Sequence, residues 1–267
     1  MVRSCSWAYD PAGRKGGNRT SDTSGFTSEV FHQLPIKETI VIRKGKKQRF
    51  GVLRAEPGGI RDFFNSVGPW FYTWFFSLVG YRSSLKCFWR CHCASVKLRE
   101  GMKILDAGIG TGFLTISLMR EAPISLNITG LDFSPGMLVG LKRNLRPYDF
   151  GIRVQPHVGD MCQMPFPDES FDLVMTSEAM EYLPDVWDGI SECTRVLRPG
   201  GKFLFIATKN SFMGKLIAAT WKNKVLDPAH VRDCMMRAGI SQVESLRFPW
   251  YFKHVDATIM ALLGEKA

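Results

Sequence analysis

Three glycines at alternate positions, in the run DAGIGTG from Asp106 to Gly112, set the strongest limit on what this chain can fold into. Inside regular structure a glycine costs roughly 0.5–1 kcal/mol relative to alanine, so three together need a local reason. The flanking residues supply it. Upstream, MKILD (102–106) is a short apolar run ending in an acid and reads as a buried strand; downstream, FLTISLMR (113–120) gathers Phe113, Ile116, Leu118 and Met119 on one helical face. A strand, a glycine turn and a helix in succession form the first βα unit of a nucleotide-binding sheet, where the chain turns tightly and lets a ligand approach the backbone.

From about residue 100 onward strand-like and helix-like pieces alternate, the pattern of a parallel sheet covered on both faces. The reading places strands near 102–106, 127–132, 152–158, 171–176 and 201–207, and helices near 112–121, 135–146, 186–197 and 228–238. The end differs, because ISQVESLRF (240–248) and KHVDATIMALLGE (253–265) are consecutive strand-like runs joined by PWY, which predicts a C-terminal antiparallel hairpin. The expected fold is α/β: a doubly wound, mostly parallel seven-stranded sheet.

Charge is unevenly placed. Residues 1–99 hold 17 Lys and Arg against 6 Asp and Glu, net +11, whereas residues 100–267 hold 18 against 19, net −1, so the whole excess is N-terminal. Such asymmetry points to a basic arm or face that meets an anionic surface, or to a solvated tail. Residues 1–28, rich in Gly, Ser and Thr, read as a disordered tail. Residues 29–99 read as a basic and aromatic extension, with two short strands around the basic turn RKGKKQR (43–49), and residues 100–267 as the main domain. Within the extension, FFNSVGPWFYTWFFSLVGY (63–81) is nineteen residues without a charge, nine of them aromatic. Its length touches the threshold for a membrane span, but Gly68-Pro69 and Asn65, Ser66, Thr73 and Ser77 lower its hydrophobicity. A buried lid helix ranks first, a membrane-surface helix second and a span third. The seven cysteines are odd in number and scattered, which argues for reduced thiols in the cytoplasm; CFWRCHC (87–93) lacks the second ligand pair of a metal site, so no metal is expected.

Glycine spacing separates two cofactor classes. The dinucleotide fingerprint requires GxGxxG, and Phe113 occupies the place of its third glycine. A nicotinamide enzyme therefore fails at this turn. ILDAGIGTG instead resembles the first motif of class I methyltransferases that use S-adenosylmethionine. The resemblance continues through ITGLDFSPGML (128–138), GDMCQMPFPDESFDLVMTSEAMEYL (159–183) with its LPF-like turn, and ECTRVLRPGGKFLF (192–205), four motifs in order across residues 100–210. It implies a Rossmann-like methyltransferase fold and S-adenosyl-L-methionine as cofactor. Asp106 would then lie near the cationic methionine part, and Gly108, Gly110 and Gly112 would bring backbone to the ligand. Asp132 would accept from the ribose hydroxyls, and Phe133 and Met137 would flank the adenine. Asp160 would accept from the adenine amino group, the Met161 amide would meet the ring, and Ser177 would close the fourth strand beside the same site.

The acceptor side is less defined. TSEAMEYL (176–183) replaces the Asn/Asp-Pro-Pro-Tyr/Phe of enzymes that methylate bases or glutamine amides. Glu178 and Glu181 stand where a base or an ammonium-orienting carboxylate belongs, with solvated helix-start residues as the plain alternative. Tyr182 is nearby, and Trp70, Tyr72 and Trp74 carry the apolar surface suited to cover an acceptor. The leading expectation is methyl transfer to a small-molecule or lipid-like acceptor, with peripheral membrane contact through residues 40–90. Protein or RNA methylation and a non-catalytic adenosylmethionine-binding module are the alternatives. Nucleic acid ranks low as a partner because no RNA-binding motif accompanies the basic region.

Overall fold

The computed structural model describes residues 40–43, 46–49, 62, 64, 65, 68–78, 80–122, 124, 126–148, 153–221 and 223–267. The chain forms two compact units, Met1–Val52 and Leu53–Ala267. In the first, β1 (Ile40–Arg43) and β2 (Lys46–Arg49) pair antiparallel with Ile40 opposite Arg49; two strands were expected here, but the second falls inside the run 43–49 read as the basic turn. The tail expected over residues 1–28 lies outside the described residues.

The second unit begins with α1 (Gly68–Leu78) and α2 (Tyr81–Val96). Pro69 suits a helix start, where its missing amide is no loss, and Gly80 separates the helices at φ 76°, a conformation an L residue resists. The uncharged run is therefore broken. Eleven residues of helix extend about 16 Å, against about 30 Å of hydrocarbon in a bilayer. Among the described residues no helix is long and apolar enough to cross a membrane.

The sheet follows, alternating with helices: β3 (Lys103–Ala107), α3 (Phe113–Glu121), β4 (Asn127–Asp132), α4 (Pro135–Leu145), β5 (Arg153–Val158), β6 (Phe171–Ser177), α5 (Val186–Val196), β7 (Leu197–Thr208), α6 (Phe212–Trp221), α7 (Pro228–Arg237), β8 (Ile240–Leu246), α8 (Lys253–Thr258) and β9 (Ile259–Lys266). Strand order is β5-β4-β3-β6-β7-β9-β8, with β9 alone running against its neighbours. The antiparallel end expected from the sequence is present, with one correction. Lys253–Thr258 is helical, so the last strand starts at Ile259. Two further helices had no signal as separate elements: α2, which carries Cys87, Cys91 and Cys93, and α6.

Strict alternation divides the strands between two apolar layers. Ile104, Leu204, Ile206, Ala261 and Leu263 face one core together with α1, α2 and α3, while Leu105, Phe203, Phe205, Ala207 and Leu262 face the other with α5 and α7. The aromatic residues of α1 enter the first layer: Phe76 is buried, and Phe71, Tyr72 and Phe75 pack against it. Residues 53–99 thus belong to the same compact unit as the sheet. Trp221 at the end of α6 is the joint, with ring centroids 5.9 Å from Phe71, 5.5 Å from Tyr72 and 5.3 Å from both Phe75 and Phe76. Replacing Trp221 by alanine should cost about 3–5 kcal/mol, read by urea unfolding, and should loosen α1 ahead of the sheet in hydrogen exchange.

Candidate active site

At the C-terminal ends of β3, β4 and β6 the second unit holds a cavity of about 370 Å³. Sheet register gathers its chemistry. Asp106 of β3 pairs with Gly130 of β4 and Met175 of β6, and Asp132 pairs with Val158, so Asp106, Asp132, the Gly159–Met161 turn and Ser177–Glu178 emerge at one edge. Four carboxylates line the cavity, from Asp106, Asp132, Asp160 and Glu178, and no Lys, Arg or His is among its lining residues. Phe64, Tyr72, Tyr81, Phe113, Phe133 and Tyr182 supply aromatic walls.

The glycine turn is held from below by β4. The amides of Gly108 and Ile109 donate to the Leu131 carbonyl at 2.7 and 3.0 Å. Gly108 and Gly110 have φ of 79° and 54°, and a side-chain carbon on Gly108 would collide with Ala179. Backbone is thereby exposed to the cavity where a side chain would close it. Asp132 is oriented by two amides, Oδ2 accepting from Gly110 N at 2.8 Å and Oδ1 from Ser134 N at 2.9 Å, which leaves a second lone pair on each oxygen. Oδ2 of Asp106 accepts from Thr115 Oγ1 at 2.6 Å, and Oδ1 of Asp160 from Cys162 N at 2.8 Å.

Burial raises the Asp106 carboxyl to about 7, with Thr115 opposing and Asp132 reinforcing the shift. It raises Asp132 to about 6 against its two amide bonds. Glu178 and Glu181 are raised as well, mainly by burial. The charge of Glu178 adds to the rise at Glu181, so the two buried acids resist being ionised together. Thr208, at the end of β7, clamps both: its hydroxyl donates to Glu178 Oε2 and its amide to Glu181 Oε1, each at 2.6 Å. Glu178 also has φ of 52°, a conformation that costs a non-glycine residue free energy and clusters at functional positions.

Of the residues singled out in the sequence, Asp106, Gly108, Gly110, Asp132, Phe133, Met137, Asp160, Met161, Ser177, Glu178, Tyr72 and Tyr182 line this one cavity. Gly112 instead opens α3, where a side-chain carbon would meet Leu141, and Glu181 is fully buried behind Glu178. Trp70 and Trp74 do not line it; both are more than half exposed, on the outer face of α1. Thr208 had no sequence signal, while Phe64 and Tyr81 entered only as members of the aromatic run 63–81, and Thr111 only as a member of the glycine turn. Phe64 stands edge-on to Tyr72, Phe133 and Tyr182, and Tyr81 hydrogen-bonds Ser177 at 2.8 Å.

The site fits a cationic nucleoside. Its acids favour positive charge, the glycine cradle has no room for a side chain, and the buried Thr111 Oγ1 at the cavity wall has no protein partner.

Residues 105–205 match the methyltransferase domain family. The chain is 29% identical over 176 residues to a ubiquinone/menaquinone biosynthesis C-methyltransferase of Geobacter sulfurreducens, covering 62% of this chain and 65% of that one. It is 36% identical over 111 residues to a demethylmenaquinone methyltransferase of Staphylococcus aureus, covering 42% and 45%. This chain thus spans about half to two-thirds of the length of such relatives. Among solved structures, phosphoethanolamine N-methyltransferase 2 of Haemonchus contortus in complex with S-adenosyl-L-methionine superposes with a TM-score of 0.60 at 20% identity, covering 83% of this chain and 62% of that one. Geranyl diphosphate C-methyltransferase of Streptomyces coelicolor gives 0.52 at 16% identity, covering 66% and 76%. The fold is the Rossmann-like methyltransferase fold. Within that fold, residues 105–205 carry the methyltransferase-domain match.

Two outcomes follow from the carboxylates and their cradle. Gly108→Ala, strained at positive φ and blocked by Ala179, should weaken binding of S-adenosylhomocysteine at least about tenfold by calorimetry in a folded protein. The raised Asp106 and Asp132 bind protons more tightly folded than unfolded, where they titrate near 3.8. Stability from this source is full below pH 4 and is lost as pH rises through about 6 and 7. Thermal midpoints of the free protein should therefore fall by about 5 °C between pH 5.5 and 8, and Asp106→Asn should flatten the slope.

Proposed function

We propose that the chain transfers a methyl group from S-adenosylmethionine to a small, apolar, lipid-like acceptor bearing an ionisable hydroxyl, of the quinol type. One observation carries the reading: an aromatic-walled cavity with four carboxylates and no cationic side chain. Such a lining repels phosphate-rich acceptors, which sets RNA aside, and favours a cofactor with sulfonium and ammonium charges over an anionic dinucleotide. The relatives named as ubiquinone/menaquinone and demethylmenaquinone methyltransferases support a ring acceptor. Apolar acceptors of this class dissolve in membranes, so the reading includes peripheral contact with one.

In this reading Asp132 receives the ribose hydroxyls, Asp160 and the Met161 amide meet the adenine edge, and Phe133 and Met137 flank its faces. Gly108 and Gly110 offer backbone, Asp106 balances the cationic methionine end, and Ser177 closes the site beside it. Bound there, S-adenosylmethionine supplies an electrophilic methyl group that leaves a neutral thioether behind. Glu178, in its ionised form, takes the proton of the acceptor hydroxyl and so raises electron density on the acceptor. Glu181 holds the proton of the pair, and Thr208 fixes both carboxyls by its two bonds. Tyr72 and Tyr81, whose phenols burial keeps protonated, and Tyr182 wall the acceptor in. Alignment and exclusion of water supply the rest of the acceleration.

Incubation with methyl-labelled cofactor and quinol analogues, followed by mass spectrometry, tests the acceptor class. Calorimetry should show saturable adenosylmethionine binding and none for NADH. Glu178→Gln should lower kcat about 10²-fold or more with cofactor affinity changed less than threefold, and turnover of the parent should climb with pH above the ordinary carboxylate range. Full turnover by the Gln variant would assign the proton to another group.

A further inference from the structure

The outer faces of α1 and α6 carry a feature that methyl transfer does not use. Eleven large apolar side chains are exposed among the described residues, and six of them belong to these two helices. Trp70, Trp74 and Leu78 recur every fourth residue and form one stripe along α1; Phe212, Met213 and Leu216 cover the first turns of α6. All six are between 46% and 85% exposed. The two helices are neighbours, because Trp221 at the end of α6 packs against Phe71 and Phe75 of α1.

Charge on and around this face has one sign. No Asp or Glu occurs from residue 63 to 99 or from 209 to 226, whereas Lys215 is exposed on α6 between the apolar residues; the ammonium groups of Lys209 and Lys224, on either side in sequence, donate to the carbonyls of Asp256 and of Leu183 and Pro184. Lys142 and Arg143 lie in the last turn of α4, whose Asn144 reaches Thr73 of α1 at 3.4 Å. We propose that this face docks on an anionic lipid bilayer, with Trp70, Trp74, Leu78, Phe212, Met213 and Leu216 entering the interface and Lys215 meeting phosphate headgroups. Tryptophans on an apolar stripe beside lysines match the interfacial zone, where the rings sit between acyl chains and headgroups. A second copy of the chain fits less well, since a two-fold contact would set Lys215 and its neighbours against the same cations. The inference rests on the lipid-like acceptor for its purpose: Tyr72 of α1 lines the cavity, so the helix that touches lipid on one side touches the acceptor on the other.

The full chain is sedimented with vesicles of phosphatidylcholine alone and of phosphatidylcholine with about 30% phosphatidylglycerol. Strong sedimentation only with the anionic vesicles is expected. The double variant Trp74→Glu and Leu216→Glu should lower vesicle affinity about tenfold or more while S-adenosylhomocysteine affinity stays within about twofold. Should that variant misfold, vesicles with brominated acyl chains serve the parent, where quenching of tryptophan emission that Trp70→Phe with Trp74→Phe removes supports the same face. Equal sedimentation of parent and variant overturns the proposal, as binding through the basic hairpin would give. So does binding indifferent to phosphatidylglycerol, or self-association abolished by the variant without any vesicle binding. Loss of adenosylhomocysteine binding in the parent would overturn the methyltransferase reading and leave the vesicle result standing.

Discussion

Everything in the sheet unit is arranged around one costly constraint, the burial of three carboxyl groups, Asp106, Asp132 and Glu178, at the ends of parallel strands with no cation among the residues lining their cavity. An acid stripped of water favours its protonated form, and the raised Asp106, Asp132 and Glu178 register that cost. The protein offsets it with local donors instead of ion pairs. Asp132 takes two backbone amides, Asp106 the Thr115 hydroxyl, and the glutamate pair the hydroxyl and amide of Thr208. Each donor lies at a strand end or helix start, where backbone groups are unsatisfied by the ladder, so the fold supplies the donors where the acids need them.

This economy explains why the cofactor class and the fold are bound together. An arginine beside Asp132 would stabilise the carboxylate outright, as Arg198 and Arg99 do together with the Lys103 amide for Asp172 at the start of β6, whose carboxyl is held low. It would also cancel the charge on which recognition of a cationic ligand depends. The same domain therefore uses both solutions: paired acids where only stability matters, and unpaired acids where a ligand must bring the missing charge.

The parts legible in the sequence were those fixed by neighbours along the chain. The glycine turn, the strand-end acids at 106, 132 and 160, and the alternation of strands and helices all follow from local spacing, and the register then brings them to one edge. What escaped notice was set by contacts far apart in sequence. Thr208 reaches Glu178 across 30 residues, and Tyr81 reaches Ser177 across 96. The short helix at Lys253–Thr258 was hidden for another reason: HVDATIM has no helical stripe, and its helicity follows from Val255 and Thr258 turning into the core ahead of β9. The aromatic run showed its composition but not its orientation. Only packing on Trp221 decides that Tyr72 and Phe76 turn inward while Trp70 and Trp74 turn out.

That orientation gives α1 two jobs which constrain each other. Its inner face must close the cavity tightly enough to exclude water, since methyl transfer gains from a dry, aligned site. On the proposed reading, an apolar acceptor would also reach the cavity beside this helix, whose Tyr72 lines it. A helix locked on all sides by core packing would admit nothing, and a helix with a polar outer face would close but offer no path from an apolar phase. Here the inner residues grip Trp221 and Phe113, while Trp70 and Trp74 of the outer stripe stand more than half exposed against the ring of Phe71 on their own helix. Gly80 at φ 76° separates α1 from α2 in a conformation that an L residue resists. If the proposed lipid contact holds, the helix that meets the bilayer with Trp70, Trp74 and Leu78 is the one whose Tyr72 walls the cavity, so the acceptor's apolar phase and its site lie on two faces of one helix.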